Sequence, residues 1–395
     1  MGKIFCPLAT NNIEVNASGH FKPCCISSKR FEVGGEIASA DNYRIKDIVI
    51  SEDRKRWVEN FDQYYGTDCK QCYEVEKSGG ESKRLREIKN WNDDYEPDVL
   101  QSIDLKMGNT CNLQCAICGP NASSKWAAFY RQRGSEKGWV NQKWPDKESF
   151  WNGLNEVAHT IKKIELSGGE PFMIKKQKIL IDFLVERNLA KDIDITWFTN
   201  CTQYPEDIIA RFPEFKFVRI MLSIDNTHEQ FEYQRYPAKW SEAYEIFLKY
   251  KKLHDDGIIH LGISHSIGLL NIWRLPEFHA WCREHEVFIF NNLVMEPMSA
   301  KDLPLDYKLK VKEKLEANMN PDFQTNPAVG PDNWLVKFMM QDGNVDHALR
   351  WCYKNLVVTS RPELDAKVIF PELADILKEY EDLKSESDYS KYLKR

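Results

Sequence analysis

The sequence predicts an α/β protein in which parallel strands alternate with helices beside a cysteine-rich loop. Between Leu100 and about Pro297, short apolar runs alternate with longer amphipathic stretches, a pattern typical of βαβ units in a parallel sheet. Three cysteines at C-x3-C-x2-C spacing, Cys111, Cys115 and Cys118, follow the first of these strands. Together the two observations place a candidate metal centre at the end of a strand.

The alternation is regular enough to assign individual elements. The predicted strands are Ser102–Lys106, Lys163–Leu166, Asp194–Phe198, Phe217–Ile224, His260–Ile267 and Val287–Leu293. Helical periodicity predicts the intervening helices Ser123–Arg133, Lys175–Arg187, Pro205–Arg211, Trp240–Asp255 and Leu275–His285. Two further units flank this region. Residues 1–98 are predicted to form a small hairpin-plus-helix module with cysteines, residues 99–300 the alternating core, and residues 301–395 a helical extension.

The composition argues against several classes of protein. The chain has 395 residues, of which 42% are hydrophobic and 29% charged, as in a globular protein with a sizeable core. Its net charge of −6 gives no support for a nucleic-acid binder, which is normally basic. No apolar run reaches the roughly 18 residues of a membrane span, and the first residues lack the apolar stretch of a signal peptide. We therefore expect a cytoplasmic protein without membrane or nucleic-acid partners.

The cysteines indicate metal binding. Disulfides are rare in the reducing cytosol, so the eleven cysteines indicate metal ligands in preference to disulfides. Three thiolates on one short loop can converge on one metal centre, but they leave it without a fourth protein ligand. Iron–sulfur clusters are normally held by four cysteines, and structural zinc sites also close their fourth position. The loop therefore indicates a cluster with one open iron, where chemistry can take place.

This loop resembles the cluster motif of the radical S-adenosylmethionine (radical SAM) superfamily, C-x3-C-x-aromatic-C, with Ile117 where an aromatic residue is usual. Further motifs follow in the family's order at the ends of predicted strands: Gly168-Gly169-Glu170-Pro171, Thr199 with Asn200, Ser223 with Asp225, and Arg235. Glycines let a backbone approach a ligand closely, and the carboxylate of Glu170 suits the ammonium of a methionine moiety. Active sites of parallel α/β barrels lie at this end of the strands.

The resemblance implies a fold, a cofactor set and an activity. The fold is a partial (β/α)6 barrel, and the cofactors are S-adenosylmethionine and a 4Fe–4S cluster whose open iron chelates it. Thr199 and Asn200 would hold the methionine or ribose, and Arg235 would face the methionyl carboxylate. One electron from an external flavodoxin- or ferredoxin-like donor cleaves S-adenosylmethionine to methionine and a 5′-deoxyadenosyl radical. That radical abstracts a hydrogen atom from a substrate C–H bond, so the chain is predicted to be an enzyme.

The N-terminal cysteines resemble a second motif, the opening of the SPASM and twitch auxiliary-cluster domains, C-x(9–15)-G-x4-C. Cys6, Gly19 and Cys24 fit this spacing, and Cys69 and Cys72 supply two more thiolates. The resemblance implies one complete auxiliary 4Fe–4S cluster, acting as an electron relay, in a module that precedes the radical domain instead of following it.

Two alternatives stay open at this second site. A zinc ion closed by the same four cysteines is the first, because C-x2-C pairs are common zinc ligands. The second concerns the ligand set, because Cys25 could replace Cys24 as the fourth ligand. If Cys24 is the ligand, Cys25 is a small buried hydrophobic residue.

The substrate step has weaker signals. Cys201, directly after Asn200, is predicted near the mouth of the active site, and Cys352 is a second candidate for the reaction; each is otherwise a buried spectator. We expect oxidation or cross-linking of a peptide or protein, with a small molecule such as an aminocyclitol or nucleotide as the alternative substrate. A non-catalytic iron–sulfur carrier or a zinc-stabilised binding protein is the alternative of another class, but a carrier has no need of the motif around Glu170.

Overall fold

The structure of the protein, a computed structural model, describes residues 4–91, 95–134, 143–318, 334–352 and 364–378. Its strands are β1 Asn12–Val15, β2 Phe21–Lys22, β3 Glu32–Val33, β4 Glu36–Ile37, β5 Ser102–Leu105, β6 Lys163–Leu166, β7 Asp194–Thr199, β8 Phe217–Leu222, β9 His260–Ile267 and β10 Phe288–Leu293. Helices α1 to α6 precede β5 and are Pro7–Asn11, Ile45–Val49, Glu52–Glu59, Phe61–Asp68, Lys70–Lys77 and Lys83–Trp91. Helices α7 to α13 alternate with the later strands and are Ser124–Arg131, Glu148–Val157, Lys175–Glu186, Glu206–Ile209, His228–Gln234, Trp240–Asp255 and Leu275–Glu284. Helices α14 to α18 follow the sheet and are Leu305–Asn318, Trp334–Met339, Val345–Cys352, Ala366–Ile369 and Ala374–Lys378.

The main sheet has eight strands in the order β10-β9-β8-β7-β6-β5-β1-β2. Strands β5 to β10 each pair in parallel with the next along the chain, because the helices between them return the chain to the same end of the sheet. Leu105 lies opposite Leu166, and Leu166 opposite Trp197, so the carboxyl ends of these strands meet at one edge. The predicted α/β class with a parallel barrel-type sheet is confirmed.

The N-terminal hairpin belongs to the same sheet. Strand β1 pairs in parallel with β5, with Ile13 opposite Ile103, and antiparallel with β2. The hairpin turn needs a glycine, since Gly19 has φ of +84° and a Cβ there would lie 2.9 Å from Ser39 Oγ and 3.1 Å from Trp144 Cδ1. The segment predicted as a separate module therefore extends the sheet of the core.

Helices α5 and α6 reach the opposite edge strand, β10. The amide of Gln71 on α5 donates a hydrogen bond of 3.2 Å to the carbonyl of Leu293. On α6 the guanidinium of Arg86 lies 4.1 Å from the centre of the Phe290 ring, a cation–π distance. The chain before β5 thus contacts both edges of the sheet, and it forms a wall across the side that a partial barrel leaves open.

The C-terminal helices cover the end of the sheet near the cysteine loop. They share an apolar core with Ala116 of the cysteine loop, Trp126 of α7 and Leu269, and the indole of Trp126 donates to the carbonyl of Cys115 at 3.0 Å. The predicted helical extension is present. Within the described ranges, none of the helices is both long enough and apolar enough to cross a membrane.

Candidate active site

The cysteine loop follows β5 directly, and its thiols are close together. Cys111 and Cys115 are buried, and Cys118 is half-buried. Burial and the neighbouring Cys115 raise the pKa of Cys111 to about 11, and a contact with Cys115 raises that of Cys118. The loop is fixed by Ser123, whose hydroxyl donates to the carbonyl of Leu113 at 2.5 Å. Three sulfur donors on one short loop are the ligand type that iron–sulfur clusters use.

The two glycines of the GGEP stretch are required by the cysteine loop itself. Gly168 has φ of +129°, and a Cβ there would lie 2.8 Å from the carbonyl oxygen of Gly108. A Cβ at Gly169 would overlap the carbonyl oxygen of Thr110 and lie 2.6 Å from the carbonyl carbon of Asn109. The close approach expected of these glycines is therefore an approach to the backbone of the cysteine loop.

Glu170 is buried at the end of β6 and receives three hydrogen bonds. Its carboxylate accepts from the Thr199 hydroxyl at 2.8 Å, from the Asn200 amide N–H at 2.7 Å and from the Phe172 amide N–H at 3.2 Å. Burial raises the pKa of Glu170 to about 7 against the opposing effect of these bonds. Because a carboxylate offers about four acceptor positions, Glu170 keeps one free. Thr199 and Asn200 thus hold Glu170 in place.

The side chain of Asn200 connects β7 to the cysteine loop. Its Nδ2 donates to Asn112 Oδ1 at 2.9 Å and lies 3.8 Å from Cys111 Sγ. The Thr202 hydroxyl closes the group, since it bonds to Asn200 Oδ1 at 2.6 Å and to Asn112 Nδ2 at 2.9 Å. Sequence reasoning missed Asn112 and Thr202, although each is a polar residue next to an identified motif.

A buried ion pair lies on the other side of the cysteine loop. Arg235 Nη2 is 2.7 Å from Asp225 Oδ2, and Arg235 Nη1 is 3.9 Å from Cys115 Sγ. Asp225 also accepts from the Ser266 amide N–H at 2.9 Å. Ser223 lies at the end of β8, where its amide donates to the Thr199 carbonyl at 2.8 Å. The structure therefore brings the predicted residues of four strand ends to one edge of the sheet.

The four predicted auxiliary ligands line one small cavity beside α4 and α5: Cys6, Cys24, Cys69 and Cys72. Burial, with the neighbouring cysteines, raises the pKa values of Cys6 and Cys69, and burial raises that of Cys24 to about 11. Cys25 does not line this cavity. Its side chain lines the interior of the barrel instead.

The barrel interior holds a cavity of about 620 Å³ that sequence reasoning missed. Its lining carries charge on both sides, from the strands and from α6, in Lys83, Arg86, Asp104, Glu165 and Arg219. It reaches the motif region through Ser167, which precedes Gly168, and the auxiliary cavity through Cys72, which lines both. The signal that could have found it is the charged residue Asp104 within strand β5.

The two cysteines proposed for the substrate step differ in their placement. Cys201 is buried with φ of +63°, and its thiol donates to the carbonyl of Ala243 at 3.2 Å. It faces helix α12 and is absent from the residues that line the interior cavity. The side chain of Cys352, at the end of α16, lies outside the described part of the structure.

Residues 105–270 match the family model described as Radical SAM superfamily. The chain contains a radical SAM domain. The match begins at the end of β5, includes the cysteine loop, Glu170 and the Asp225–Arg235 pair, and ends after β9. The radical SAM domain thus carries the residues that meet at the strand ends, while the N-terminal cysteines lie before it.

The chain has distant similarity to several known proteins. The chain is similar to the probable GTP 3′,8-cyclase of Methanocaldococcus jannaschii, with 24% identity over 188 residues, 47% of this chain and 56% of that protein. It therefore spans little more than half of that relative. Among solved structures, native anSMEcpe with bound AdoMet and a peptide has a TM-score of 0.38 and 19% identity over 55% of this chain and 59% of that one. Streptococcus suis SuiB with S-adenosylmethionine has a TM-score of 0.36 and 10% identity over 73% and 64%. These scores are too low to carry an argument about function.

Proposed function

We propose that the protein is a radical SAM enzyme that cleaves S-adenosylmethionine and removes a hydrogen atom from a substrate held in the barrel interior. The observation that carries the proposal is the meeting of the three thiols of the cysteine loop with Glu170, Asn200 and Arg235 at one edge of the sheet of a radical SAM domain. When bound, the cluster and S-adenosylmethionine supply a 5′-deoxyadenosyl radical, and the cofactor carries this chemistry.

The residues of the candidate active site suit a 4Fe–4S cluster and S-adenosylmethionine. Cys111, Cys115 and Cys118 supply three thiolates and so leave one position for a cosubstrate. Cluster potentials depend on charge and on hydrogen bonds to the sulfurs, and the Asn200 amide and the Arg235 guanidinium lie 3.8 and 3.9 Å from two of them.

Glu170 is suited to the ammonium of S-adenosylmethionine through its remaining acceptor position, because its other positions are filled by groups that orient the carboxylate. Thr199 and the Asn200 amide N–H act here as positioning groups. The proposed chain of contacts therefore runs from β7 through Glu170 to the cosubstrate.

The N-terminal cysteines are proposed to hold an auxiliary 4Fe–4S cluster in a twitch-like arrangement, with Cys24 and not Cys25 as ligand. In a tetrahedral zinc site with Zn–S near 2.3 Å, the sulfur atoms lie about 3.8 Å apart. Among the described residues, one group of three His, Cys, Asp or Glu has all its ligand atoms within 4.8 Å of one another, and it contains none of Cys6, Cys24, Cys69 and Cys72. This wider spacing favours an iron–sulfur cluster over zinc.

The auxiliary site is well placed to take an electron from the substrate. Cys72 lines both the auxiliary cavity and the interior cavity, so a cluster there would adjoin the substrate. A closed cluster beside the substrate acts as an electron relay, and an external flavodoxin- or ferredoxin-like protein would supply the electron that starts the reaction.

For the reaction, we favour oxidation or cross-linking of a peptide side chain that enters the interior cavity. A small polar molecule is the second candidate, and the charged lining favours it. Lys83, Arg86 and Arg219 give the cavity three cationic groups that would suit a phosphate or carboxylate. The name of the archaeal relative refers to GTP, which belongs to this second class of substrate.

The proposed function is tested by anaerobic reconstitution with iron and sulfide, followed by assay for 5′-deoxyadenosine with dithionite as reductant. We expect about eight irons per chain, as two 4Fe–4S clusters require, and reductive cleavage. Replacing Cys111, Cys115 and Cys118 together by alanine should abolish cleavage and leave about four irons. Cys69→Ala with Cys72→Ala should also leave about four irons, from the other site. Zinc at the N-terminal cysteines, or cleavage that survives the triple substitution, would contradict the proposal.

A further inference from the structure

Asp104 is a buried carboxylate without a hydrogen-bond partner for one of its oxygens. It lies on β5, is 4% exposed and lines the interior cavity. Among the described residues its Oδ1 atom is buried and accepts no hydrogen bond. Removing such an oxygen from water without replacing its hydrogen bonds destabilises the fold. In native proteins such a group is explained by a bound water molecule, an ion or a functional role.

The lysines near Asp104 are bound to other carboxylates. Lys106 Nζ lies 2.7 Å from one oxygen of Glu14, and Lys22 Nζ lies 3.1 Å from the other. Lys83 Nζ lies 2.9 and 3.2 Å from the two oxygens of Glu165. Among the described residues no ammonium group donates to the free oxygen of Asp104, so its donor would be a water molecule or a bound ligand.

A metal ion is the first alternative for that donor. Cys25 Sγ and oxygens of Asp104 and Glu165 all lie within 4.8 Å of one another, a spacing that ligands of one ion can adopt. However, Lys83 already supplies positive charge to both oxygens of Glu165. A metal cation bound there would lie next to this buried ammonium, and repulsion between the positive charges disfavours it relative to a hydrogen-bond donor that bonds to Asp104 and leaves the Lys83–Glu165 pair intact.

The position of Asp104 relates the site to the reaction. It shares the interior cavity with Ser167, which is adjacent to Gly168, and with Cys72 of the auxiliary site. A molecule in this cavity therefore lies between the cosubstrate region and the second cysteine cluster. This inference rests on the proposed function. We propose that Asp104 binds a hydroxyl or amine group of the substrate. The substrate then belongs to a class that carries such a donor near its reacting carbon.

The test uses three small probes of equal ring size, each deuterated on every carbon: cyclohexanol, cyclohexylamine and methoxycyclohexane. Each is incubated with the reconstituted holoprotein, S-adenosylmethionine and dithionite, and the fraction of 5′-deoxyadenosine that contains deuterium is measured by mass spectrometry. We expect this fraction to be about tenfold higher for the alcohol and the amine than for the ether, since only the first two can donate to Asp104. Equal transfer from all three, or transfer from none while 5′-deoxyadenosine forms, would overturn the inference.

Variants identify the residue responsible. Asp104→Leu keeps the branched shape of the side chain and removes the acceptor, so the preference over the ether should disappear. Asp104→Asn keeps one acceptor oxygen without charge, so the preference for the amine should fall more than that for the alcohol. Asp256→Asn is the control, because Asp256 is exposed, pairs with Lys252 at 2.9 Å and does not line the interior cavity; it should keep the full preference.

Two further outcomes are informative. If the preference requires added ZnCl2 or disappears with EDTA, the site binds a metal and the inference is wrong. If wild-type protein forms no 5′-deoxyadenosine under any condition, the proposed function itself fails. This result is distinguishable from failure of the inference, because no deuterated fraction of the product can then be measured. The fraction is normalised to the total product, so partial loss of protein in a variant does not change it.

Discussion

The Nη2 atom of Arg235 lies 2.7 Å from Oδ2 of Asp225, and both side chains are at least nine-tenths buried. The guanidinium also faces the sulfur of Cys115. Asp225 therefore holds a cation beside the cysteine loop, where negative charge is expected to collect.

Replacing Arg235 by glutamine should destabilise the protein strongly. The change leaves Asp225 buried without its partner, which costs about 3–5 kcal/mol for pairs of this kind. Anaerobic urea unfolding measures the loss. Lys252→Gln is the control, because the pair of Lys252 with Asp256 is exposed and should contribute little to stability. Equal losses in the two variants would show that the buried pair has no special role.

Substituting alanine at Gly169 should prevent the cysteine loop from adopting its observed path. The added Cβ would overlap the backbone of Thr110, and neither backbone can move without displacing Cys111. We expect the reconstituted variant to lose about four irons and its ability to bind S-adenosylmethionine.

Gly119→Ala is the matched control for this loop. A Cβ at Gly119 meets no atom within 4 Å, so iron content and binding should match those of the wild type. Iron counts and equilibrium dialysis with labelled S-adenosylmethionine check both variants. Full iron in Gly169→Ala would mean that the loop tolerates a different path.

Asp104→Asn should change how stability depends on pH. Burial raises the pKa of Asp104 from 3.8 to about 7, so the folded state favours the protonated carboxyl. The contribution of this group is favourable below its unfolded pKa and is lost as the pH rises to about 7. The variant lacks this loss, and its stability relative to wild type should rise by about 2–3 kcal/mol between pH 5 and pH 8. Urea unfolding at both pH values measures the change, and parallel pH profiles would contradict it.

Cys201→Ala should retain formation of 5′-deoxyadenosine within about twofold, because its thiol faces helix α12 and does not line the interior cavity. Cys201→Gly should be tolerated as well, since φ at this position is +63° and glycine adopts such values without strain. Product assay and iron content together decide the matter. A large loss of product in a variant with full iron would make Cys201 part of the reaction after all.

Much of the domain could be predicted because its signals are local. The strands before Gly168 and after Thr199 are short apolar runs, and their boundaries agree with the structure within about two residues. The cysteine spacing and the GGEP stretch are likewise contiguous in sequence. A parallel sheet then brings their ends to one edge without further information.

The remaining features depend on contacts between distant segments. Nothing near Ile13 indicates that its strand pairs with Ile103, and the hairpin alone suggested an independent module. The interior cavity is formed by α5, α6 and six strands, so no single stretch could reveal it. The orientation of Cys25 away from Cys24 follows from that same packing.

The parallel pairing of β1 with β5 has a consequence for dissecting the protein. A fragment starting at residue 99 would contain the whole radical SAM match and would leave the backbone of β5 as a bare edge. Unpaired strand edges recruit other chains and promote aggregation. The smallest soluble unit that can be produced for crystallography or engineering should therefore begin before Asn12.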